Sequence, residues 1–233
     1  MKKIISTLAI ACLSITSFAQ NVDEIVKKHI EAIGGKENWA KVKTLKTVGT
    51  MKAQGAEIIM TMTQVDKTAS RQDIALMGMN GYNIITKTEG WNFMPFQGQT
   101  KPEALTPDDV AKAQEELEIM PDFLTYKEEG KKLEYISKDD VDGTECFKLK
   151  MTSKDKKETT YYIDPSTYYI IKETNKMTIN GKEMENSSTM SNYKKQECGI
   201  VYPFNIGGGW GELEITSMEV NPKVDDAIFK IAK

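Results

Sequence analysis

The sequence predicts a mainly β protein with some helix (α+β). We expect a single large curved antiparallel sheet that forms an unclosed half-barrel, with an N-terminal helix and a helical insert covering its concave face. From about residue 45, apolar residues recur at alternate positions between Gly and Asn turn signals. Helical spacing is confined to one stretch near the start and one in the middle. A sheet of about eleven or twelve strands is too large to stay flat, so it must curl and be covered.

The amino-acid composition and net charge indicate which classes of binding partner to expect. The 233 residues are 39% hydrophobic and 28% charged, as in a soluble globular protein. The 31 basic and 34 acidic residues give a net charge of −3, and no basic run is interleaved with aromatics, so we expect no nucleic-acid partner. Arg71 is the only arginine, which favours hydrated lysine surfaces over anion clamps.

The first residues have the pattern of an export signal. A basic start is followed by an apolar stretch over 4–15 and by Ser17-Phe18-Ala19, a small-x-small cleavage site. We therefore predict a signal peptide over 1–19, a single half-barrel domain over 20–233, and a periplasmic location. Acylation at Cys12 is the alternative, although Ala9 stands where such sites usually have Leu.

Removal of the signal leaves two cysteines, Cys146 and Cys198. An even count in an oxidising compartment invites a disulfide. The predicted strands place the two residues three strands apart, roughly 14 Å, whereas a bridge needs Cα atoms within about 7 Å. The sequence leaves the bond open.

The N-terminal helix is predicted from a capping-box-like Asn21 and Glu24 and from Gly34-Gly35 at its end. One face is apolar and carries His29, the only histidine, which we interpret as a packing residue. A second helical segment is predicted near 106–118, with Thr106 as the cap, and a third near 122–126.

The strands are predicted from period-two alternation at 45–53, 56–65, 69–77, 82–88, 91–96, 133–138, 145–152, 158–163, 167–179, 183–196, 200–206 and 212–220. The turns are predicted at Gln54-Gly55, Asn80-Gly81, Asp142-Gly143, Asp164-Pro165-Ser166 and Asn180-Gly181. This order is that of an antiparallel meander.

Catalytic and metal-binding patterns are missing from the sequence. It contains no Gly-x-Ser-x-Gly, no His-Glu-x-x-His and no pair of Cys-x-x-Cys motifs. Gly207–Gly211 lacks the Lys-Ser/Thr of a phosphate loop, and Asp139–Gly143 fits a strand turn better than a calcium loop. We therefore predict no enzymatic activity, no cofactor and no metal site.

Methionine and aromatic side chains indicate a site for an apolar ligand. Methionine adapts to apolar ligands of different shape, and a half-open sheet leaves a gap beneath its helices. The predicted lining of an apolar cavity is Met60, Met62, Trp91, Phe93, Met94, Phe96, Leu117, Met120, Phe123 and Leu124. Ordinary core packing is the alternative for each of them.

Several loosely spaced motifs together resemble the LolA-like outer-membrane lipoprotein-sorting family. They are Arg71…Gly81…Gly90-Trp91…Pro95-Phe96…Gly98, the helical insert, Tyr161-Tyr162-Ile163-Asp164 and Val220-Asn221-Pro222…Val224-Asp225-Asp226…Phe229. The resemblance implies an unclosed β-barrel plugged by helices, with an apolar cavity that carries lipoprotein acyl chains across the periplasm. It also implies an inner-membrane exporter as donor and an outer-membrane acceptor.

The resemblance further implies that an arginine on an early strand holds the helical lid, and Arg71 is the candidate. Its position leaves an outward pairing with Asp73 open. The function expected is a monomeric carrier, a chaperone of lipoprotein acyl chains or other lipids, whose insert moves when cargo enters. The alternative is an envelope-stress sensor of the same half-barrel kind that binds a membrane-protein segment or a lipid signal.

The processing site gives the first testable prediction. Because Ser17-Phe18-Ala19 is the better-formed site, the exported protein should begin at Gln20 and carry no lipid. The intact mass of the exported protein measures this directly. A diacylated species beginning at Cys12 would contradict it.

Overall fold

A computed structural model describes residues 22–53, 55–179, 182–209 and 211–231. The predicted signal peptide, the predicted helix cap Asn21, Gln54 of the predicted Gln54-Gly55 turn and the predicted turn at Asn180-Gly181 lie outside these ranges. The α-helices are α1 (22–32), α2 (Lys36–Trp39), α3 (Pro107–Ala113) and α4 (Asp122–Thr125). Short 3₁₀ turns occur at Pro95–Gln97, Gln114–Leu117 and Asp226–Phe229. None of the described helices is long and apolar enough to cross a membrane.

Within the described ranges, thirteen strands form one antiparallel sheet. They are β1 (Thr44–Ala53), β2 (Ala56–Val65), β3 (Ala69–Leu76), β4 (Met79–Thr86), β5 (Gly90–Phe93), β6 (Glu103–Ala104), β7 (Lys132–Val141), β8 (Thr144–Thr152), β9 (Glu158–Ile163), β10 (Ile170–Ile179), β11 (Lys182–Lys195), β12 (Val201–Gly208) and β13 (Gly211–Val220). Their order across the sheet is β6-β5-β4-β3-β2-β1-β13-β12-β11-β10-β9-β8-β7. The prediction of a mainly β chain built on one large sheet, not closed into a barrel, is confirmed.

Two meanders make up this order, and the pairing of β1 with β13 joins them. The edge strands are β6 and β7, which the helical insert connects along the chain. β7 carries alternating exposed charges and an irregular register between Tyr135 and Ser137, features that protect an edge strand from pairing with other chains.

One predicted turn is wrong. Asn80-Gly81 lies inside β4, and the β3–β4 turn is Met77-Gly78 instead, with φ of 52° and 78°. Two positive φ values define a type I′ hairpin, which matches the twist of the flanking strands. Asp142-Gly143 forms the same kind of turn, as predicted, with φ of 51° and 87°.

The predicted helices are present. Gly34 and Gly35 end α1 by donating to the carbonyls of Glu31 and Ile30 at 3.1 and 2.8 Å. Thr106 caps α3 and accepts from the amide of Asp109 at 3.2 Å. Four short elements were not predicted: α2, β6, the final 3₁₀ turn and the 3₁₀ turn at Pro95–Gln97, where the strand predicted over 91–96 ends at Phe93 instead. Each is at most four residues long, too short to show a periodicity.

The chain divides into two compact units. The first comprises the residues up to Gly35 together with Asp122–Met190, and the second comprises Lys36–Pro121 and the residues from Ser191 onward. The boundary falls within β11. The single domain predicted over 20–233 stays a prediction.

In the first unit, α1 and α4 pack on one face of the β8–β9 strands. Phe123 of α4 is 2% exposed and meets the ring of Tyr161 edge-on, with the centroids 4.9 Å apart. The cluster is completed by Val22, Ile25, Val26, Tyr126, Leu149, Met151 and Ile163. Burial of this set stabilises the unit by roughly 1.5–3 kcal/mol for each large side chain.

His29 lies inside that cluster and packs as expected. Its Nδ1 is 2.7 Å from the carbonyl oxygen of Tyr168, to which it donates, and its ring meets Phe123 edge-on at 4.8 Å. Burial lowers the pKa of His29 from 6.5 to about 4, although the hydrogen bond to Tyr168 acts in the opposite direction.

The part of the helical insert that belongs to the second unit, α3 and the following 3₁₀ turn, is fixed at one end of the sheet. The carbonyl of Leu117 accepts from the amide of Lys67 at 2.9 Å, and Asp66 accepts from the amide of Ile119 at 3.2 Å. Gln114 donates to the carbonyl of Lys87 at 2.6 Å. These contacts lie beside the β2–β3 and β4–β5 connections, the end opposite to the Met77-Gly78 turn.

The two cysteines are free thiols in the described structure. Cys146 is buried in the first unit, where burial raises the pKa of its thiol to about 11. Cys198 is partly exposed in the second unit.

The environment of His29 predicts a pH dependence of stability. Unfolding returns its pKa to about 6.5, so the unfolded chain binds more protons between about pH 6.5 and 4, and stability falls as the pH drops through that range. The loss specific to His29 should be about 3 kcal/mol, from 1.36 kcal/mol per pKa unit. Urea unfolding at pH 7.5 and pH 4 measures it.

The control for this prediction is His29→Asn, which keeps a donor for Tyr168 without a titrating ring. Its stability should change less than that of the wild type over the same range. Equal changes in both proteins would show that other groups carry the pH dependence.

Candidate functional site

Strand register builds an apolar row across six strands of the second unit. Cross-strand partners share a face of a sheet, so each pairing adds one member. Met79 pairs with Leu76, Leu76 with Ile58, Ile58 with Met51, Met51 with Leu213, and Leu213 with Ile206. The row therefore crosses β4, β3, β2, β1, β13 and β12 without a polar side chain.

A second row follows two residues further along each strand. Its members are Gly81, Ile74, Met60, Gly49 and Ile215. We call these two rows together the apolar band. Six strands span five intervals of about 4.8 Å, so the first row extends over roughly 24 Å.

The band is only partly covered. Met79 is 40% exposed, and Met51, Ile58, Leu76, Leu213 and Ile206 are half-buried. The next rows turn polar, since Met62 lies between Gln72 and Thr47. The apolar surface is thus concentrated at the end of the sheet away from the helical insert.

Two glycines in the second row allow close approach. A Cβ on Gly49 would lie 2.8 Å from a methyl of Leu213 and 2.9 Å from the carbonyl oxygen of Glu214. A Cβ on Gly81 would lie 2.9 Å from the ring of Phe96 and 3.1 Å from the sulfur of Met94. The segment after β5 therefore folds over Gly81 and brings Met94 and Phe96 to the face of the band.

No member of the band titrates, so its chemistry is that of apolar contact alone. Among the residues that the structure describes, no group of three or more His, Cys, Asp and Glu side chains could hold a metal ion. Further along the same face, Met218 and Val220 line a pocket of about 470 Å³ together with Gln196, Glu197 and Cys198.

The structure separates the predicted site residues into four groups. Met60, Met62, Met94 and Phe96 lie on the face of the band. Trp91 and Phe93 lie on the opposite face, because Trp91 pairs with Ile84 and Phe93 with Tyr82. Leu117 is buried and Met120 half-buried in the insert, and Phe123 and Leu124 are buried in the first unit. Their role in binding stays a prediction.

Most of the band was missed by the sequence analysis. Its members on β1, β3, β12 and β13 occupy alternate positions like those of any strand, and the register is what shows that they share a row. One signal was available. In β13 the apolar residues Leu213, Ile215, Met218 and Val220 break alternation once, where a register shift keeps all four on one face.

Arg71 holds the C-terminal segment on the opposite face of the sheet. Its guanidinium forms a two-pronged ion pair with Asp73, with nitrogen–oxygen distances of 2.7 to 3.0 Å, and lies over the ring of Tyr82 at 4.7 Å. It also donates to the carbonyl of Ile228 at 2.6 Å. Arg71 therefore makes the outward pairing with Asp73 and also tethers a second segment. That segment is the one around Ile228, and we call this hydrogen bond the Arg71 tether. The contact with the helical lid stays a prediction.

Solved structures share this architecture at low sequence identity. An outer membrane lipoprotein-sorting protein domain from Vibrio parahaemolyticus has a TM-score of 0.55 at 13% identity, covering 88% of this chain and 94% of that one. A LolA superfamily protein from Nitrosomonas europaea has a TM-score of 0.54 at 14% identity, covering 90% and 97%. The chain has a LolA-like fold.

A DUF1329 family protein from Desulfovibrio piger is similar to the same degree, with a TM-score of 0.53 at 10% identity over 90% of this chain and 97% of that one. Comparison with sequence-family profiles and with curated protein sequences gives no match. The resemblance noted in the sequence is thus supported by the fold.

The Arg71 tether predicts a local loss of stability in Arg71→Lys. Lysine cannot pair with Asp73 in two-pronged geometry and reach the Ile228 carbonyl at the same time. We expect about 1–3 kcal/mol lower stability and faster carboxypeptidase removal of the residues around Phe229. Phe229→Ala, which removes the buried anchor of the same segment, should show the same protease sensitivity. Unchanged C-terminal protection in Arg71→Lys would contradict the tether.

Proposed function

We propose that this protein is a periplasmic carrier that binds the acyl chains of lipoproteins or other lipids on the apolar band and delivers them toward the outer membrane. The observation that carries the proposal is the first row, six apolar side chains on six adjacent strands, left partly exposed. The export-signal pattern supports the periplasmic location, and the LolA-like fold supports carriage over catalysis.

The band matches an acyl chain in size and chemistry. One leaflet of a bilayer core is about 15 Å thick, so a chain that spans it fits within a row of roughly 24 Å. Covering a chain of about sixteen carbons gains on the order of 10 kcal/mol before the cost of immobilising it. Methionines at three positions of the band adapt to chains of different length and saturation.

Release is the second requirement of a carrier. An acyl chain that was fully enclosed would be bound with the whole free energy of burial, and the carrier could not pass it to an acceptor. Because the band is open along its first row, part of the chain remains available to an acceptor that covers it better. The inner-membrane exporter, the outer-membrane acceptor and a monomeric state belong to the same proposal. Movement of the insert on loading does not, because the band lies at the other end of the sheet.

Neighbouring residues on β2 provide a matched test of binding. Met60 lies in the band, whereas Ile59 points to the other face and is 44% exposed. Met60→Gln should weaken the affinity for a fluorescent fatty acid about tenfold or more, because a polar amide replaces an apolar contact. Ile59→Gln should leave the affinity unchanged. Fluorescence titration of the mature protein measures both.

Two results would count against the proposal. Equal affinities in Met60→Gln and Ile59→Gln would show that the band does not hold the ligand. Mass spectrometry of gently purified protein should find acyl lipid. A copurifying membrane-protein segment with no lipid would favour the sensor alternative.

A further inference from the structure

The β3–β4 hairpin ends in an unusually exposed apolar tip. Among the described residues, four large hydrophobic side chains are exposed, and three of them are here: Met77 at 80%, Ile59 at 44% and Met79 at 40%. Ile59 lies on the adjacent strand opposite Ala75. We call Met77, Met79 and Ile59 the apolar tip.

Methionine at position 77 carries two costs. Its φ of 52° lies in the left-handed region, where Asn or Gly is strongly preferred in a type I′ turn. Its side chain is also almost fully in water. At 80% exposure its side chain gains little from packing against the described residues, and an exposed apolar side chain of this kind is typical of a surface that contacts another molecule.

The hairpin that carries Met77 and Met79 has no charged residue near its end. Residues 74–86 contain no Asp, Glu, Lys or Arg, in a chain that is 28% charged. On the neighbouring hairpin, Lys52 and Glu57 lie opposite each other, and their opposite charges give this pair no net charge. A surface without net charge does not attract an acidic or a basic partner. An apolar surface of this kind suits the hydrocarbon boundary of a neutral bilayer.

The tip is also continuous with the apolar band, since Met79 is a member of both. Ile59 faces the other side of the sheet, so apolar surface projects on both sides of the hairpin end. We propose that the apolar tip inserts into the surface of a lipid bilayer and aligns the first row of the band with the acyl region. This proposal rests on the function proposed above, because the alignment has a purpose only if the band carries acyl chains.

Flotation of the mature protein with phosphatidylcholine vesicles tests the proposal. The wild type should float with the vesicles, and the partitioning should be insensitive to salt, because no charge is involved. Met77→Asn should reduce the partition coefficient about tenfold, the effect of removing one apolar side chain from the interface. Asn-Gly is favoured in a type I′ turn, so this variant keeps the fold.

Ile136→Asn is the matched control. Ile136 is 48% exposed on β7 in the first unit, and its replacement should leave the vesicle partitioning unchanged. Equal losses in the two variants would show that general hydrophobicity causes the binding and would overturn the proposal. Partitioning of Met77→Asn at the wild-type level would overturn it as well.

Fatty-acid titration without vesicles separates this proposal from the carrier function. Met77→Asn should bind the fluorescent fatty acid as the wild type does. A wild type that takes up fatty acid but does not float would overturn the membrane proposal and leave the carrier function standing. Flotation only with vesicles that contain envelope proteins would also overturn it and assign the tip to a protein receptor.

Discussion

The antiparallel pairing of β1 with β13 is the constraint on which the candidate site depends. It joins residues near the start of the described chain to residues near its end, from Leu45 opposite Val220 to Met51 opposite Leu213. Without it the first row of the band would end at β1, and its members on β12 and β13 would lie elsewhere. A slip of one residue would turn Leu213 to the other face and replace it with a glutamate.

A register shift between Val48 and Gly49 makes this pairing compatible with an apolar face. The sequence of β13 has two residues between Ile215 and Met218, where strict alternation allows one. The extra residue is taken up at Thr216, whose hydroxyl donates to the carbonyl of Val48 at 3.1 Å. Gly49, opposite Ile215, leaves the space that the side chain of Leu213 occupies. The irregularity and the glycine therefore act together to keep the band continuous.

Local patterns in the sequence predicted the local elements well. The bounds of β2 and β9 coincide with those predicted at 56–65 and 158–163, because alternation between turn signals is a property of the segment itself. The two helical segments of the insert and the cap at Thr106 were found for the same reason.

Non-local relations were not predictable from a single sequence. Asn80-Gly81 has the composition of a turn, but its glycine is needed for contact with Met94 and Phe96, which no local pattern shows. The sheet face on which Trp91 or Met60 lies depends on strand register. The sequence pattern around each of them is the same whichever face it occupies, so the pattern does not predict the face. The candidate site therefore had to come from the structure, although Met60, Met62, Met94 and Phe96 were named beforehand.

The position of the insert explains how an apolar face can stay open in water. Its hydrogen bonds to the chain near Asp66, Lys67 and Lys87 fix it at the end of the sheet away from the band, and Val110, Leu117 and Ile119 within it are buried. At the other end the apolar rows are half-buried, and Met94 and Phe96 lie against Gly81. In the proposed carrier, a ligand enters from the hairpin end, so none of these hydrogen bonds has to break. Binding at the band would gain free energy from apolar contact alone. An acceptor surface that covers the same acyl chain more completely would therefore bind it more tightly and take it from the carrier.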